Sequence, residues 1–326
     1  MTLALTQSVA LLGLDGHVVT VEVDIADGLP GYSLLGLPDA ALSESRDRVR
    51  SAIVNCGEMW PNRKVTVSLS PAWLPKSGSS FDLAICIALL SAHETVPTER
   101  ISEVVFLGEL SLDGKIRSVR GVLPALMAAY KAGVTMAVVP AANVEEAQLM
   151  QGMEIIPMHH LKQVLRWLRT GEREVEQQID LQWQPSDERL DFADVAGQPA
   201  ARLAAEIAAV GGHHILLIGP PGAGKTMIAE RIPTIMPALS IAQALEVTAV
   251  HSIAGTLTQR SPLSLLAPIV SPHHTTTRVA MVGGGSHSIK PGACSLAHYG
   301  VLFVDEAPEC GPGVLDSLRQ PLESGT

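Results

Sequence analysis

The sequence predicts an α/β protein in two domains, and three observations carry that reading. Short runs of alternating apolar and polar residues are interleaved with stripes at helical spacing. A charged stretch poor in apolar residues divides the chain at 171–190. Beyond it a compact apolar run, residues 215–218, leads into a glycine-rich turn and then a helical pattern, the order expected of a strand, a phosphate-binding loop and a helix. With 326 residues, 47% hydrophobic and 17% charged, the chain has enough apolar material for two cores and too much for a disordered polymer. Its formal net charge of −10 excludes a generally basic, nucleic-acid-coating protein and leaves open a local basic groove.

Taken in order, alternating segments at 8–12 and 17–25 flank Asp15-Gly16, a pair that adopts positive φ cheaply, so an antiparallel hairpin is expected first. Asp39 then caps a helix whose stripe is Leu42, Val49, Ile53 and Cys56, with Glu44, Arg46, Asp47 and Arg50 on the opposite face and Gly57 as its stop. Residues 65–69 read as a strand, 71–80 as a Pro/Gly/Ser loop and 83–91 as a buried helix. A second hairpin is expected from 104–110 and 116–119 around Asp113-Gly114. A helix at 122–131, a strand at 136–139, a short helix from Val144 and a helix at 161–169 complete a first domain of residues 1–170. Residues 171–190 form the linker, and the second domain, 191–326, opens with a helix at 199–210 and the strand at 215–218. The longest apolar runs, such as 83–90, fall short of the roughly 18 residues a membrane span needs. No Lys or Arg precedes Arg46, so the apolar start lacks the positive flank of a secretory signal, and a cytoplasmic protein without membrane contact is expected. Cys56, Cys86, Cys294 and Cys310 show no CxxC pairing and read as buried thiols.

The chemistry concentrates in the second domain. Gly219, Pro220, Pro221, Gly222, Ala223, Gly224, Lys225 and Thr226 fit G-x-x-x-x-G-K-[ST] between an apolar strand and a helical run. Glycines let the backbone wrap close to a triphosphate, and the following helix adds its positive end. Lys225 is expected to neutralise the terminal phosphates of ATP and Thr226 to offer its hydroxyl to Mg2+. The second element is Val301-Leu-Phe-Val304-Asp305-Glu306, a buried strand delivering two carboxylates at its carboxyl end, where ligands of open α/β sheets sit. Asp305 is expected to support the metal, and Glu306 to orient and polarise the attacking water.

Further segments carry a resemblance. These are Gly36-Leu-Pro-Asp-Ala-Ala-Leu-Ser-Glu-Ser-Arg46, Leu74-Pro-Lys-Ser-Gly78, Phe192-Ala-Asp-Val-Ala-Gly-Gln198, Pro272-His-His-Thr275, Val282-Gly-Gly-Gly285 and Leu296-Ala-His-Tyr-Gly-Val-Leu-Phe-Val-Asp-Glu306. In this order they resemble the magnesium-chelatase-like AAA+ ATPases of the ComM/YifB type along the whole chain. The resemblance implies a first domain of the ribosomal-protein-S5 domain 2 type, α+β and shared with Lon protease, followed by a P-loop AAA+ α/β domain. It also implies a ring, typically a hexamer, that remodels branched DNA during recombination. Residues 251–292 fall where such proteins carry insertions, and 282–286 reads equally as a pore-facing loop or a surface turn. Few residues follow Asp305, so the resemblance implies an incomplete AAA+ domain, without the next strand, the arginine finger and the helical lid, and impaired in ATP hydrolysis. Two alternatives stand beside a DNA motor: a chelatase-like motor acting on a protein partner, and a non-catalytic interaction module.

Lon-type peptidases activate a serine with a lysine. Ser80, in Pro75-Lys-Ser-Gly-Ser-Ser80, stands where that serine would be, but Leu123 occupies the place of the lysine and cannot accept a proton. Lys76 and Lys131 are the substitutes available, and no peptidase is expected. His273, His274, His287 and His298 lie near Cys294 at spacings that fit no usual zinc pattern, and read as polar contacts. The pairs His159-His160 and His213-His214 stand at element starts and read as structural.

Overall fold

A computed structural model describes residues 2–173, 190–257, 263–285 and 289–324. The chain divides into two compact units, Met1–Leu181 and Gln182–Thr326. Most of the expected charged linker lies outside the described residues.

Unit 1 is a mixed sheet with helices on both faces. Its strands are β1 (Thr2–Leu12), β2 (Asp15–Ala26), β3 (Gly31–Leu35), β4 (Lys64–Ser70), β5 (Val104–Phe106), the short β6 (Glu109–Leu110) and β7 (Ile116–Arg117), β8 (Met136–Pro140) and β9 (Glu154–Met158). Seven of them form one sheet in the order β3-β4-β2-β1-β5-β8-β9. β1 and β2 pair antiparallel, as do β2 and β4, whereas β3–β4, β1–β5, β5–β8 and β8–β9 are parallel. The helices are α1 (Ala40–Ser43), α2 (Ser45–Asn55), α3 (Asp82–Ala92), α4 (Val122–Lys131), α5 (Val144–Ala147) and α6 (Leu161–Thr170). Because side chains alternate across a strand, Ala10 joins α2, α3 and α6 in one core while its neighbour Val9 joins α4 in another. The entirely buried α3 is apolar all round because it lies between the sheet and α2.

Several expectations need correction. The first hairpin turns at Gly13-Leu14, since Leu12 pairs with Asp15 and Gly13 takes φ +61°. Gly16 lies within β2 for another reason: a Cβ there would stand 2.5 Å from Cβ of Ala128. The second hairpin is only β6–β7, because Gly108, at φ +154°, separates it from β5, which joins the large sheet. Asp39 does cap the helix after it, accepting from Leu42 N–H at 2.8 Å, but that helix breaks at Glu44 into α1 and α2. β3 and β9 were not expected. Both are parallel edge strands whose pairing comes from β4 and β8 rather than from an alternating pattern of their own.

Unit 2 holds α7 (Pro199–Gly211), α8 (Lys225–Arg231), α9 (Ile241–Ala254), β10 (Ile269–Val270), α10 (Arg278–Val282), α11 (Ala293–Leu296), β11 (Val301–Leu302), α12 (Pro312–Ser317) and α13 (Arg319–Ser324). β10 and β11 pair in parallel, Ile269 beside Val301 and Val270 beside Leu302. Val301 packs against the core of Phe192, Ala205 and Ile228, while Val270, Leu302 and Val304 pack against Met281 and Val314. Residues 215–218 are not a strand. Ile215 and Leu217 pack on the first of these cores, but Leu216 and Ile218 are 78% and 87% exposed, and among the described residues no strand pairs with them. An apolar run alternates without being a strand until a neighbour takes its backbone groups. The helix α9 was not expected, although Ser240 and Gln243 cap it reciprocally. In the 282–286 segment Gly284 bridges Lys290, and residues 286–288 lie outside the described residues. No described helix is long and apolar enough to cross a membrane.

Candidate functional site

The loop from Gly219 to Thr226 is built by local hydrogen bonding and two left-handed glycines. Ala223 N–H donates to Pro220 O at 3.3 Å, Gly222 and Gly224 both take φ +78°, and Ile228 N–H donates to Gly224 O at 3.0 Å as α8 begins. No other residue type reaches that conformation so cheaply, and two of them turn the chain sharply into the helix. Lys225 folds back over the loop, its Nζ donating to Gly219 O and Pro220 O at 3.0 Å each. Pro221 and Ala223 complete the turn and bring no ionisable side chain to it. Gln198, at left-handed φ +54°, also reaches the loop, donating from Nε2 to Ala223 O.

The second wall comes from β11. Phe303 N–H donates to Val270 O at 2.9 Å, extending the strand pairing by one bond, and the chain then delivers Asp305 and Glu306. Thr226 Oγ1 donates to Asp305 Oδ2 at 3.2 Å, joining segments 79 residues apart. The other Asp305 oxygen accepts from Glu306 N–H at 2.9 Å. Glu306 is left-handed at φ +51°, and its side chain turns to His274, with 3.3 Å between Oε2 and Nδ1. Lys225 and Thr226 are consecutive and Asp305 and Glu306 are consecutive, so the Thr226–Asp305 contact brings the loop and the two acids to one place. A hydroxyl and a carboxylate 3.2 Å apart are hard oxygen donors, the kind that Mg2+ takes beside phosphate oxygens. The glycine cradle with a lysine above it suits a polyphosphate.

The described histidines of this segment make separate polar contacts. His273 lies tilted against His274, with ring centroids 4.0 Å apart and planes at 34°, and meets Thr275 Oγ1 at 2.8 Å, whereas His298 faces Glu246 at 3.4 Å. His287 lies outside the described residues. Among the described residues no group of three or more His, Cys, Asp or Glu is placed to hold an ion. The cysteines are all free; Cys86 and Cys310 are buried, but Cys56 and Cys294 are only half-buried.

In unit 1, Ser80 is half-buried and its backbone O accepts from Gly108 N–H. Leu123 is buried at the start of α4, where its N–H donates to Glu146. Lys76, only 1% exposed, donates from Nζ to Leu69 O at 2.9 Å and to Pro71 O, and Lys131 is exposed at the end of α4. Burial pushes the Lys76 ammonium below its usual value, but both carbonyls hold it within its own loop. The unit's other charged feature is Asp82, wholly buried and gripped by Arg48 Nε at 2.7 Å and Nη2 at 3.0 Å.

Two residues at the loop and the acids escaped sequence reading. Gln198 was visible only as part of a resemblance, and nothing local signals that it touches the loop. His274 stood out as half of a His-His pair, but its partner Glu306 is 32 positions away and only the pairing of β10 with β11 unites them.

The chain is similar in sequence to known proteins over its whole length. Residues 191–326 match the family model described as magnesium chelatase, subunit ChlI, and residues 21–143 match that of subunit ChlI of Mg-chelatase. The whole chain is 51% identical to an uncharacterized protein of Mycobacterium tuberculosis, 42% to YifB of Escherichia coli and 38% to the competence protein ComM of Haemophilus influenzae. It spans 64%, 63% and 64% of their respective lengths. A partial match, 27% identical over 165 residues, covers 47% of this chain and 20% of Lon protease 1 of Myxococcus xanthus.

Proposed function

Because the chain belongs to the ComM/YifB family of magnesium-chelatase-like AAA+ proteins, we propose that its second unit binds ATP with Mg2+ at residues 219–226 and hydrolyses it with Glu306. The observation that carries this reading is the 3.2 Å contact between Thr226 and Asp305, which brings the glycine loop and the acidic pair to one place.

Each residue has a distinct task. Gly219, Gly222 and Gly224 leave the loop free of side chains beside the phosphates. Lys225 exchanges its two loop carbonyls for phosphate oxygens, a charge-assisted contact stronger than the neutral ones it leaves. Thr226 and Asp305 hold Mg2+, which supplies charge neutralisation to the phosphates when bound. Glu306 orients a water and takes its proton, a role that needs an acceptor but no change in the fold. Peptide hydrolysis has no place in this scheme, since Leu123 supplies no base and Lys76 is tied to Leu69 and Pro71.

For the whole protein we propose a ring, hexameric by family resemblance, that spends ATP on remodelling DNA in competence and recombination. Support comes from the family and from a relative named a competence protein. A chelatase-like motor working on a protein partner is the second reading, favoured by the descriptions of both family models.

Equilibrium titration with a fluorescent ATP analogue and Mg2+ tests the site. Lys225→Ala is expected to weaken binding roughly 10- to 100-fold, the worth of a charge-assisted contact. Glu306→Gln is expected to retain binding while hydrolysis falls by roughly 10²- to 10⁴-fold. Unaltered affinity in Lys225→Ala refutes the site.

A further inference from the structure

β3 ends the strand order of the large sheet in unit 1, and among the described residues no strand pairs with its outer side. Gly31 N–H donates to Arg63 O at 3.4 Å, and the ladder runs unbroken from Gly31 beside Lys64 to Leu35 beside Ser68. Backbone groups alternate along a strand, so Gly31, Ser33 and Leu35 bond to β4 while Tyr32 and Leu34 turn their N–H and C=O outward. These groups lack sheet partners, on a strand without the Lys, Pro or bulge that usually guards an edge. The opposite edge is guarded. There Glu154 N–H donates inward to Thr135 O at 2.7 Å, which leaves Ile155 and Pro157 of β9 facing out, and proline has no N–H to offer.

The segment around this edge matches itself. The side chains of Tyr32 and Leu34 pack on the core, so Ser33 and Leu35 stand on the other face, where Ser33 is exposed and Leu35 is 53% exposed. Turned about a twofold axis at Ser33, a second copy of β3 runs antiparallel, with Tyr32 opposite Leu34 of the second copy and Ser33 opposite its counterpart. Both residues of the first pair aim their backbone groups outward, the condition for a hydrogen-bonded pair. Ser33, whose groups face β4, falls on the non-bonded position, where side chains come closest and a small one fits. A slip of one residue would set outward groups against inward ones, so one register is preferred. The same pairing sets Leu35 against Gly31 and, two residues beyond the strand ends, Leu37 against Leu29, which are 58% and 89% exposed. From Leu29 to Leu37 there is no Asp, Glu, Lys, Arg or His, so no like charges meet across the axis.

We propose that the outer edge of β3 is an interaction surface for a second copy of this chain, closed by antiparallel pairing of β3 with itself about Ser33. The sheets of the two copies become one continuous sheet, and Tyr32 and Leu34 in each gain the backbone partners they lack. Leu29, Leu35 and Leu37 leave water at the same contact. The match of outward groups to outward groups and of leucine to leucine is what selects a second copy over an unrelated strand. Each copy uses the same patch, so the contact joins chains in pairs and cannot by itself run around a ring. It involves no residue of the nucleotide site.

Analytical ultracentrifugation of the full chain over a concentration series, without nucleotide, is expected to show a reversible monomer–dimer equilibrium. Ser33→Lys and Ser33→Asp each change one exposed side chain on the face away from the core, so circular dichroism and thermal denaturation are expected to match the parent. Either variant alone sets like charges across the axis and is expected to weaken dimerisation roughly tenfold or more. An equimolar mixture of the two sets an ammonium against a carboxylate and is expected to restore a dimer containing one of each. Hydrogen exchange reads the register separately. The amides of Tyr32 and Leu34 are expected to exchange slowly in the parent dimer and quickly in Ser33→Lys, whereas those of Ser33 and Leu35, bonded to β4, stay slow in both. A parent that remains monomeric overturns the proposal, as does a dimer that Ser33→Lys leaves intact or one that mixing fails to restore. Lys225→Ala is expected to dimerise like the parent, so failure of the nucleotide reading and failure of this one are told apart.

Discussion

Asp82 shows how a single residue couples charge to the stability of unit 1. It lies at the start of α3 with none of its side chain exposed, and accepts from Arg48 through two nitrogens and from Leu110 N–H at 3.3 Å. Burial pushes its carboxyl up to about 6, against the downward pull of Arg48, and the same contact raises the Arg48 guanidinium. A carboxyl raised on folding contributes stability that is complete below its ordinary value of about 4 and is lost as pH climbs through about 6. Arg48→Met removes the pull, so the carboxyl rises further and the loss extends into neutral pH. The expected cost is about 3–5 kcal/mol at pH 7, the range for breaking a buried pair, and distinctly less at pH 5. Urea denaturation at the two pH values measures it, and equal losses would show that Asp82 does not carry this linkage.

Among elements, the opening hairpin shows why a glycine's position cannot be read from dipeptide preference alone. Asp15-Gly16 has the composition of a tight turn, yet Gly13 supplies the positive φ and Gly16 the clearance for α4. A Cβ on Gly16 would meet Cβ of Ala128 at 2.5 Å and Pro124 O at 3.3 Å. Gly16→Ala is therefore expected to cost about 1–3 kcal/mol through overpacking. Ala128→Gly in the same chain should give back part of it, so thermal denaturation of the single and double variants would show non-additivity. Strict additivity would mean that α4 does not approach β2 at this point. The ladder of β10 and β11, two residues long, works on the same scale: a small piece of parallel register places His274 beside Glu306.

At the scale of the molecule, the units differ in how completely their secondary structure is paired. Unit 1 closes seven strands into one sheet with a core on each face. Unit 2 pairs two short strands among its described residues and leaves Val210, Leu216 and Ile218 largely exposed. Residues 1–173 expressed alone are expected to unfold cooperatively, with a midpoint matching the more stable of two transitions in the full chain. A non-cooperative fragment, or one transition for the whole, would contradict that independence.

What the sequence determined by itself was local or adjacent along the chain. The buried helix expected at 83–91, the Asp39 cap, the α4 and α6 helices and the glycine loop around Lys225 follow from short-range periodicity, capping chemistry and φ preferences. The acidic pair was legible too, because an apolar run ending in carboxylates is a local pattern; the run is not the buried four-residue strand expected, since only Val301–Leu302 pair as a strand and residues 301–304 are half-buried. Tertiary structure decided whatever needs a partner from elsewhere. β3 and β9 exist through their neighbours, residues 215–218 stay unpaired for want of one, and His274 and Gln198 reach the acids and the loop through folding alone. Backbone hydrogen bonds in a sheet and side-chain contacts across a site are satisfied at long sequence separation, so no window along the chain contains both halves of the interaction.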